Sequence, residues 1–167
     1  MGLQPKRSKE YVDEVMNDWA NLAVEGHFYS EKPWWDYHER FANPLSKIVG
    51  ALPTEVTVMN TLTVNLHLLM VSFYRPTKTR YKIICEEKAF PSDQYMFQSQ
   101  VHFHGYKPED AIVEIKRRNG EHNIRLEDVA AKIEEVGEEL ALVLIGGVNY
   151  YTGQVFDMKT ITAAGHK

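Results

Sequence analysis

A run of six consecutive apolar residues, Leu140–Ile145, restricts the possible fold more than any other feature, because it ends abruptly at Gly146-Gly147. A strand that is apolar at every position suits a sheet that is covered on both faces, as parallel sheets are. Further strands are predicted over residues 55–59, 81–85 and 111–115, with helical patterns between them. This alternation predicts an α/β protein with a mainly parallel sheet.

Helical periodicity dominates the N-terminal part of the sequence. Apolar residues at helical spacing predict an amphipathic helix over residues 8–24, which Gly26 is placed to terminate. A second, less regular helix is predicted over residues 35–49, which Pro44 would kink or restart and Gly50 would end. These two patterns predict helices ahead of the sheet.

The predicted organisation is an N-terminal helical segment, residues 1–50, followed by an α/β domain, residues 51–167. At 167 residues the chain is long enough for one sizeable core and matches the length of a single ordinary domain. The helices predicted within the α/β domain cover residues 62–74, residues 91–102, residues 126–136 and the stretch from Met158 onward.

The net charge of -4 and a pI near 6.0 leave no basic face for nucleic acid. The single cysteine, Cys85, lies in an apolar run, which favours core packing in a reducing compartment. No apolar stretch approaches the roughly 18 residues of a membrane span, and no leader pattern opens the chain. The histidines show no spacing typical of a metal site. We therefore expect a soluble cytoplasmic protein without metal, membrane or nucleic-acid contacts.

Three segments follow predicted strand ends, where parallel sheets bind their ligands: residues 60–63, 87–93 and 146–153. In the first segment, a short polar turn passes directly into an apolar helix. The unpaired N–H groups and the dipole of such a helix start attract an anionic phosphate without help from Lys or Arg. An ordinary helix whose first turn is capped by Asn60 or Thr61 explains the same pattern.

The second and third segments carry aromatic and polar side chains. Phe90 stands beside Ser92 and Asp93 at a helix entrance, where its ring could stack on a planar ligand. Capping of that helix by Ser92 or Asp93 is the alternative interpretation. Tyr150 and Tyr151 follow the long apolar strand, and a polar loop at such a place often belongs to a site, although tyrosines also pack at turns.

His27 follows the predicted end of the first helix, where an imidazolium would suit the carbonyl end of the dipole, so that capping and ligand contact both remain open. The sequence contains no G-x-S-x-G elbow, no Walker lysine and no G-x-G-x-x-G motif. Hydrolase-triad, nucleotide triphosphatase and dinucleotide-binding functions therefore have no motif support.

Taken together, the three segments resemble kynureninase, a family within the fold-type I pyridoxal phosphate enzymes. The matching stretches are Met59–Leu69, Lys88–Asp93 and Val148–Gln154, with further similarity at Gly2–Lys6 and Trp19–His27. The resemblance implies a three-layer α/β sandwich of the pyridoxal phosphate-dependent transferase type. It also implies a hydrolase of tryptophan catabolism and NAD biosynthesis, which converts L-kynurenine to anthranilate and L-alanine, and 3-hydroxykynurenine to 3-hydroxyanthranilate.

The resemblance assigns cofactor contacts to particular residues. Leu62 and Thr63 would receive the phosphate of pyridoxal phosphate at the helix start, and Phe90 would stack on the pyridine ring. The adjoining residues that would line the cofactor site are Pro91, Ser92 and Asp93, with Asp93 near the phenolic oxygen. Gly146 stands where relatives carry a hydroxyl-bearing residue that contacts the cofactor. His27 matches a histidine of the substrate pocket.

The same resemblance places the Schiff-base lysine of the family, the Asp that pairs with the pyridine nitrogen and a nearby His beyond Lys167. We therefore expect no catalytic residue in this chain and no appreciable turnover by it alone. Family members are typically homodimers with sites near the subunit interface. Two alternatives stay open: a non-catalytic fragment or assembly module that needs a second chain, and a desulfurase or aminotransferase of the same fold, which matches the segments less well.

Overall fold

The computed structural model of the protein describes residues 2–167. The chain divides into two compact units, the first reaching Met59 and the second covering Asn60–Lys167. Among the described residues, no helix combines the length and the apolar character that a membrane span requires.

The first unit is helical. Its elements are α1 (Ser8–Leu22), a 3-10 turn (Ala23–Glu25), α2 (Gly26–Tyr29), α3 (Glu39–Val49) and a second 3-10 turn (Pro53–Glu55). The predicted first helix is confirmed and is two residues shorter than expected. The second begins at Glu39, runs through Pro44 as one helix, and ends as predicted at Gly50, whose φ of 71° places it in the left-handed region.

Gly26 does not terminate α1, so that prediction is wrong. The helix ends at Leu22 because Ala23 departs from helical geometry, with φ 49° and ψ −127°. Gly26 instead lies buried at the start of α2, and a Cβ there would come within 2.6 Å of the Trp34 ring. The sequence needs glycine at this position because an indole packs directly on its backbone.

The predicted strand over residues 55–59 is also wrong. Pro53–Glu55 form a 3-10 turn, and the chain beyond it is irregular, although Val56 has extended dihedral angles of −117° and 125°. Extended backbone becomes a strand only where a neighbouring strand completes its hydrogen bonds. Within residues 2–167 no strand pairs with this stretch.

The second unit contains the predicted alternation of strands and helices. Its elements are α4 (Leu62–Phe73), β1 (Lys82–Glu86), α5 (Pro91–Phe103), α6 (Pro108–Ala111), β2 (Ile112–Ile115), α7 (Leu126–Val136), a 3-10 turn (Gly137–Glu139), β3 (Leu140–Val143) and α8 (Met158–Gly165). The strands form one sheet in the order β2-β1-β3, and both pairings are parallel. The predicted α/β fold with a mainly parallel sheet is confirmed.

Helices cover both faces of this sheet. On one face, Ile83 and Cys85 of β1 pack against residues of α4 and α5, such as Met70 and Phe97. On the other face, Ile84 packs with residues of α7 and α8. The alternation of β1 side chains between two apolar layers confirms the predicted three-layer sandwich. Cys85 is fully enclosed, and burial raises the pKa of its thiol to about 12, as expected of a packing residue.

The most buried strand is β1 rather than β3. Four of the five β1 residues are buried, whereas all four β3 residues are partly exposed. The predicted covering of this run on both sheet faces is confirmed, because Leu142 and Val143 pack into opposite apolar layers, but the strand is only partly buried. The reason is position: β1 lies between two strands, while β3 lies at the edge of the sheet.

Candidate functional site

A cavity of about 230 Å³ lies at the carboxyl ends of β1 and β3, and we call it the strand-end cavity. It is the place where an open parallel sheet is expected to bind a ligand. Its walls come from the start of α4, the β1–α5 connection and the loop after β3. The lining residues are Leu62, Glu86, Ala89, Phe90, Asp93, Phe97, Leu144, Gly146, Val148 and Tyr150.

The start of α4 presents backbone N–H groups without a side-chain cap. Thr61 occupies the N-cap position in extended geometry, and across the described part of the chain no side chain caps this helix. The first helical hydrogen bond runs from the N–H of Asn65 to the carbonyl of Thr61, so the N–H groups of Leu62 and Thr63 lie ahead of it. The interpretation in which Asn60 or Thr61 caps the first turn is wrong, and this helix start retains the donors that an anion would use.

The β1–α5 connection holds the Phe90 ring at the cavity wall. Lys88 takes a left-handed conformation with φ 52°, and Pro91 then begins α5. The carbonyl of Phe90 accepts hydrogen bonds from the N–H groups of Asp93 and Gln94, at 2.8 and 3.1 Å. The Phe90 ring is 48% exposed and meets the Tyr150 ring edge-on, with centroids 5.1 Å apart. One face of Phe90 is therefore available to a planar ligand.

Asp93 contributes a carboxyl group to the same cavity. The Ser92 hydroxyl donates to its Oδ1 at 3.4 Å, and burial raises the pKa of Asp93 despite this bond. Neither side chain caps α5. The cavity thus brings together Leu62, Phe90, Asp93 and Gly146. The other residues assigned to the cofactor, Thr63, Pro91 and Ser92, are their sequence neighbours but do not line it.

Glu86 is the residue of this cavity that the sequence analysis missed. It ends β1, is only 6% exposed, and its Oε1 accepts a hydrogen bond from the Asn149 amide at 3.3 Å. Its Oε2 is enclosed and has no hydrogen-bond partner in the part of the chain that the structure describes. Burial raises the pKa of Glu86, and the nearby charge of Asp93 raises it further. The sequence feature that could have identified Glu86 is its position as an acidic residue directly after the apolar run 81–85.

Asn149 organises the loop that follows β3. Its Oδ1 accepts from the N–H groups of Tyr151 and Thr152 at 3.0 and 2.9 Å, and from the Thr152 hydroxyl. Its backbone carbonyl accepts from the N–H of Gly153, and its own N–H donates to the Gln154 carbonyl. Because Asn149 is buried and nearly every polar atom is used, the loop has one well-defined conformation.

Gly146 leaves open space at the cavity rim. A Cβ built there would lie 3.5 Å from the Val148 carbonyl oxygen and 4.0 Å from Oε1 of Glu86. Both distances are ordinary contacts, so the backbone accepts a small side chain at this position. The glycine is therefore not required by packing or by backbone geometry.

His27 belongs to the first unit. Its Nδ1 lies 2.9 Å from the Val24 carbonyl oxygen, and its ring packs edge-on against Trp34 at 5.3 Å. A carbonyl oxygen only accepts hydrogen bonds, so Nδ1 carries a hydrogen and donates it to Val24. His27 therefore binds a backbone carbonyl of the 3-10 turn that follows α1. This bond uses Nδ1 and leaves Nε2 available to a ligand.

A second cleft lies beside the strand-end cavity and contains Glu87, Arg117 and His122. Its main charges satisfy each other: Arg117 donates to Glu87 at 2.7 Å through both its backbone N–H and its guanidinium, which lowers the pKa of Glu87. Across residues 2–167, no three His, Cys, Asp or Glu side chains converge on a point that would hold a metal ion. The strand-end cavity, with its unpaired buried oxygen, is the stronger candidate site.

Comparison with known proteins gives consistent matches along the whole chain. The chain is 89% identical over 167 residues to kynureninase of Flavobacterium johnsoniae and 88% identical over 167 residues to kynureninase of Flavobacterium psychrophilum. It is 78% identical over 166 residues to kynureninase of Christiangramia forsetii. These matches cover 99–100% of this chain but 39% of each relative. No protein-family model matches the chain.

Proposed function

The chain is a kynureninase-like sequence along its whole length, and we propose that it supplies the noncovalent half of a pyridoxal phosphate site in a kynurenine-hydrolysing enzyme. The reaction proposed is hydrolysis of L-kynurenine to anthranilate and L-alanine, with 3-hydroxykynurenine as a related substrate. The observation that carries the proposal is the strand-end cavity, where a free helix start, an aromatic face and two carboxyl groups meet. The resemblance predicted from the sequence is confirmed by these matches.

The residues of the cavity fit this cofactor. In the proposal, the N–H groups of Leu62 and Thr63, with the Thr63 hydroxyl, bind the phosphate, because the N-cap residue Thr61 makes no side-chain cap at that helix start. Phe90 covers one face of the ring, and Pro91 and Ser92 shape the turn beneath it. The cofactor, when bound, supplies an electron sink for breaking the Cβ–Cγ bond of the substrate.

One polar side chain, that of Asp93, orients the ring in this proposal. Asp93 would lie near the side that carries the phenolic oxygen, and burial raises its pKa, which favours the protonated form more than in an exposed carboxyl group. Gly146 leaves unfilled the position where relatives place a hydroxyl, so one hydrogen bond to the cofactor is absent or is made by another group. We propose that His27 contacts the substrate through Nε2, since Val24 holds its other nitrogen.

The domain organisation and the assembly belong to the same proposal. We assign residues 1–50 to a helical segment and residues 51–167 to a cofactor domain that further kynureninase residues complete. The cofactor domain exposes apolar side chains of α4, including Leu69, Val71 and Phe73. An exposed apolar face of this kind supports a homodimer in the complete enzyme, which we place in the cytoplasm.

A hybrid enzyme tests the proposed activity. The segment of the Flavobacterium johnsoniae kynureninase that matches this chain is replaced by the chain, and kynurenine hydrolysis is followed by the absorbance of anthranilate. With 89% identity across the replaced segment, we expect kcat/KM within about threefold of the parent enzyme, a change below 1 kcal/mol in barrier. A folded hybrid that binds pyridoxal phosphate but does not hydrolyse kynurenine contradicts the proposed function.

The 167-residue chain alone tests the noncovalent character of the site. Among the described residues, those that line the strand-end cavity include no lysine. We therefore expect reversible binding of pyridoxal phosphate and no turnover, and borohydride reduction leaves no stoichiometric adduct. A single lysine labelled at one equivalent, identified by mass spectrometry, overturns this expectation.

A second candidate function is an assembly module that pairs with a separate chain. The apolar edge formed by β3 and α8 supports it, since Leu142 and Val143 are only partly covered there. Size-exclusion chromatography with and without the remaining part of the Flavobacterium johnsoniae kynureninase, expressed separately, tests this candidate. A stable complex that hydrolyses kynurenine supports it, and two separate peaks with no activity oppose it.

A further inference from the structure

The carboxyl group of Glu86 connects the end of the central strand to the loop that carries Tyr150. Its Oε1 accepts from the Asn149 amide at 3.3 Å, and Asn149 in turn fixes the N–H groups of Tyr151 and Thr152. Tyr150, between these bonded residues, meets Phe90 edge-on with centroids 5.1 Å apart. One buried carboxyl group thus supports both aromatic walls of the cavity.

We propose that Glu86 is a positioning residue of the cofactor site, which in its neutral form anchors Asn149 through Oε1 and donates the Oε2 hydroxyl to a hydrogen-bond acceptor of the bound cofactor or to water beside it. This inference rests on the proposed function and goes beyond it, because neither the resemblance nor the matches assign a role to Glu86. A buried oxygen without a partner costs free energy, and a structure tolerates this cost where a ligand supplies the missing bond.

Position and burial together single out Glu86. It lies at the carboxyl end of the most buried strand, where the chain turns toward Phe90, and it lines the same cavity as Asp93. By contrast, Oε1 of Glu87, the next residue, accepts from the Arg117 guanidinium at 2.7 Å, so this carboxylate has an ion pair. A purely structural Glu86 would be paired in the same way.

The protonation state of Glu86 affects ligand binding. The titratable groups that face it across the cavity are Asp93 of α5 and the Tyr150 phenol of the loop. In the neutral form Glu86 adds no charge beside a phosphate-bearing ligand, whereas its carboxylate repels such a ligand. The affinity for pyridoxal phosphate therefore falls as Glu86 loses its proton, and this fall disappears when a neutral isostere replaces it.

The first test needs no cofactor. Amide hydrogen exchange of the 167-residue chain is measured for the unsubstituted form, Glu86→Gln and Glu86→Leu, with Glu114→Gln as control, since Glu114 is an exposed carboxylate on the adjacent strand β2. Gln retains an oxygen that accepts from Asn149, so we expect unchanged protection of the Tyr151 and Thr152 amides. Leu removes the acceptor, and we expect protection to fall about tenfold at these amides while the core of α7 is unchanged.

The second test measures the binding of pyridoxal phosphate by equilibrium dialysis between pH 5 and 8. We expect Glu86→Leu to weaken binding about tenfold, the loss of one hydrogen bond. At the acidic end of this range Glu86→Gln should bind within about threefold of the unsubstituted chain, and across the range its binding should depend less on pH. Glu114→Gln should match the unsubstituted chain at every pH.

The outcomes separate this inference from the proposed function. If the unsubstituted chain and the hybrid enzyme both fail to bind pyridoxal phosphate, the proposed function is wrong, while the exchange data still decide whether Glu86 anchors the loop. If binding occurs but Glu86→Leu leaves both loop protection and affinity unchanged in a folded protein, the inference about Glu86 is wrong. If the affinity of Glu86→Gln for pyridoxal phosphate depends on pH as that of the unsubstituted chain does, the loss of the Glu86 proton does not weaken binding.

Discussion

Helices α1 and α7 are both amphipathic in sequence, yet they differ in what their apolar stripes contact. In α7, Val129, Ile133 and Val136 are buried against the sheet. In α1, none of the residues is buried, and Trp19 remains 61% exposed. Apolar residues at helical spacing thus predict that a helix forms. Whether its apolar face is buried depends on the elements that pack against it, which the helix sequence does not contain. In the first unit the stripe of α1 remains an exposed apolar surface, which is typical of interaction sites.

The sharpest test of this difference replaces one aromatic side chain in each unit. Phe97 of α5 is 1% exposed, and Phe97→Ala should lower the free energy of unfolding by about 3–5 kcal/mol, because it removes apolar contacts and leaves a cavity. Trp19→Ala in α1 should cost less than about 1 kcal/mol. Urea denaturation followed by circular dichroism measures both. Equal losses would show that α1 is as firmly packed as α5.

A second prediction concerns the packed centre of the first unit. Gly26→Ala places a methyl group 2.6 Å from the Trp34 ring, so the indole must move, at a cost of about 1–3 kcal/mol. Gly2→Ala is the control, since, its chain neighbours apart, no atom of the described residues lies within 4 Å of its Cβ position. We expect a red shift and faster quenching of tryptophan fluorescence in Gly26→Ala alone. Unchanged fluorescence in a folded variant would mean that Trp34 does not depend on Gly26.

A third prediction uses the buried acid of the second unit. Because burial raises the pKa of Glu86 above its ordinary value of 4.5, the folded chain binds this proton more tightly than the unfolded chain. Its contribution to stability is therefore present at acidic pH and is lost as pH rises from 4.5 through the raised value. Glu86→Gln should be more stable than the unsubstituted chain near pH 8 and should show a smaller loss of stability with rising pH.

Thermal melts from pH 4 to pH 8 measure this effect, with Glu114→Gln as the exposed control. Asp93 has a raised pKa as well, so part of the slope remains in Glu86→Gln. Parallel melting curves for Glu86→Gln and the unsubstituted chain at all pH values would contradict the prediction.

The smallest effect is expected at Gly146. Gly146→Ser adds a hydroxyl near Oε1 of Glu86, from which its Cβ is 4.0 Å away, and the free energy of unfolding should change by less than about 0.5 kcal/mol. A hydroxyl that donates to the carboxylate favours its charged form, so the pKa of Glu86 should fall. Carbon-13 NMR of the Glu86 carboxyl group measures this shift, and an increase in the pKa would refute the contact.

The sequence predicted those parts of the fold that depend on local patterns. The helices at 62–73 and 91–103 and the parallel strands were found because their periodicity, glycines and prolines lie within the segments themselves. The strand expected at 55–59 failed because a strand also needs a neighbour. Gly26 was misinterpreted because the ring that requires it, Trp34, acts through space rather than through helix-ending chemistry.

The candidate site was also predicted in part: four of its residues were named from the sequence, and Glu86 was not. Leu62, Phe90, Asp93 and Gly146 could be named from strand ends and from the resemblance, and the cavity brings these four together. Glu86 could not be found in this way, because its burial and its bond to Asn149 involve a partner 63 positions away in the chain. The tertiary structure alone decides that Glu87, and not the adjacent Glu86, forms an ion pair with Arg117.

Gln154 determines how the loop after β3 can move. Its side-chain oxygen accepts from the N–H of Ile124 at 2.9 Å, and its amide donates to the carbonyl of Ile124 at 2.5 Å. Ile124 is itself buried in the apolar layer beneath α7. A swing of the loop must therefore break both bonds and disturb that layer, so its opening should occur at the slow rate of core unfolding rather than on the nanosecond scale of free surface loops.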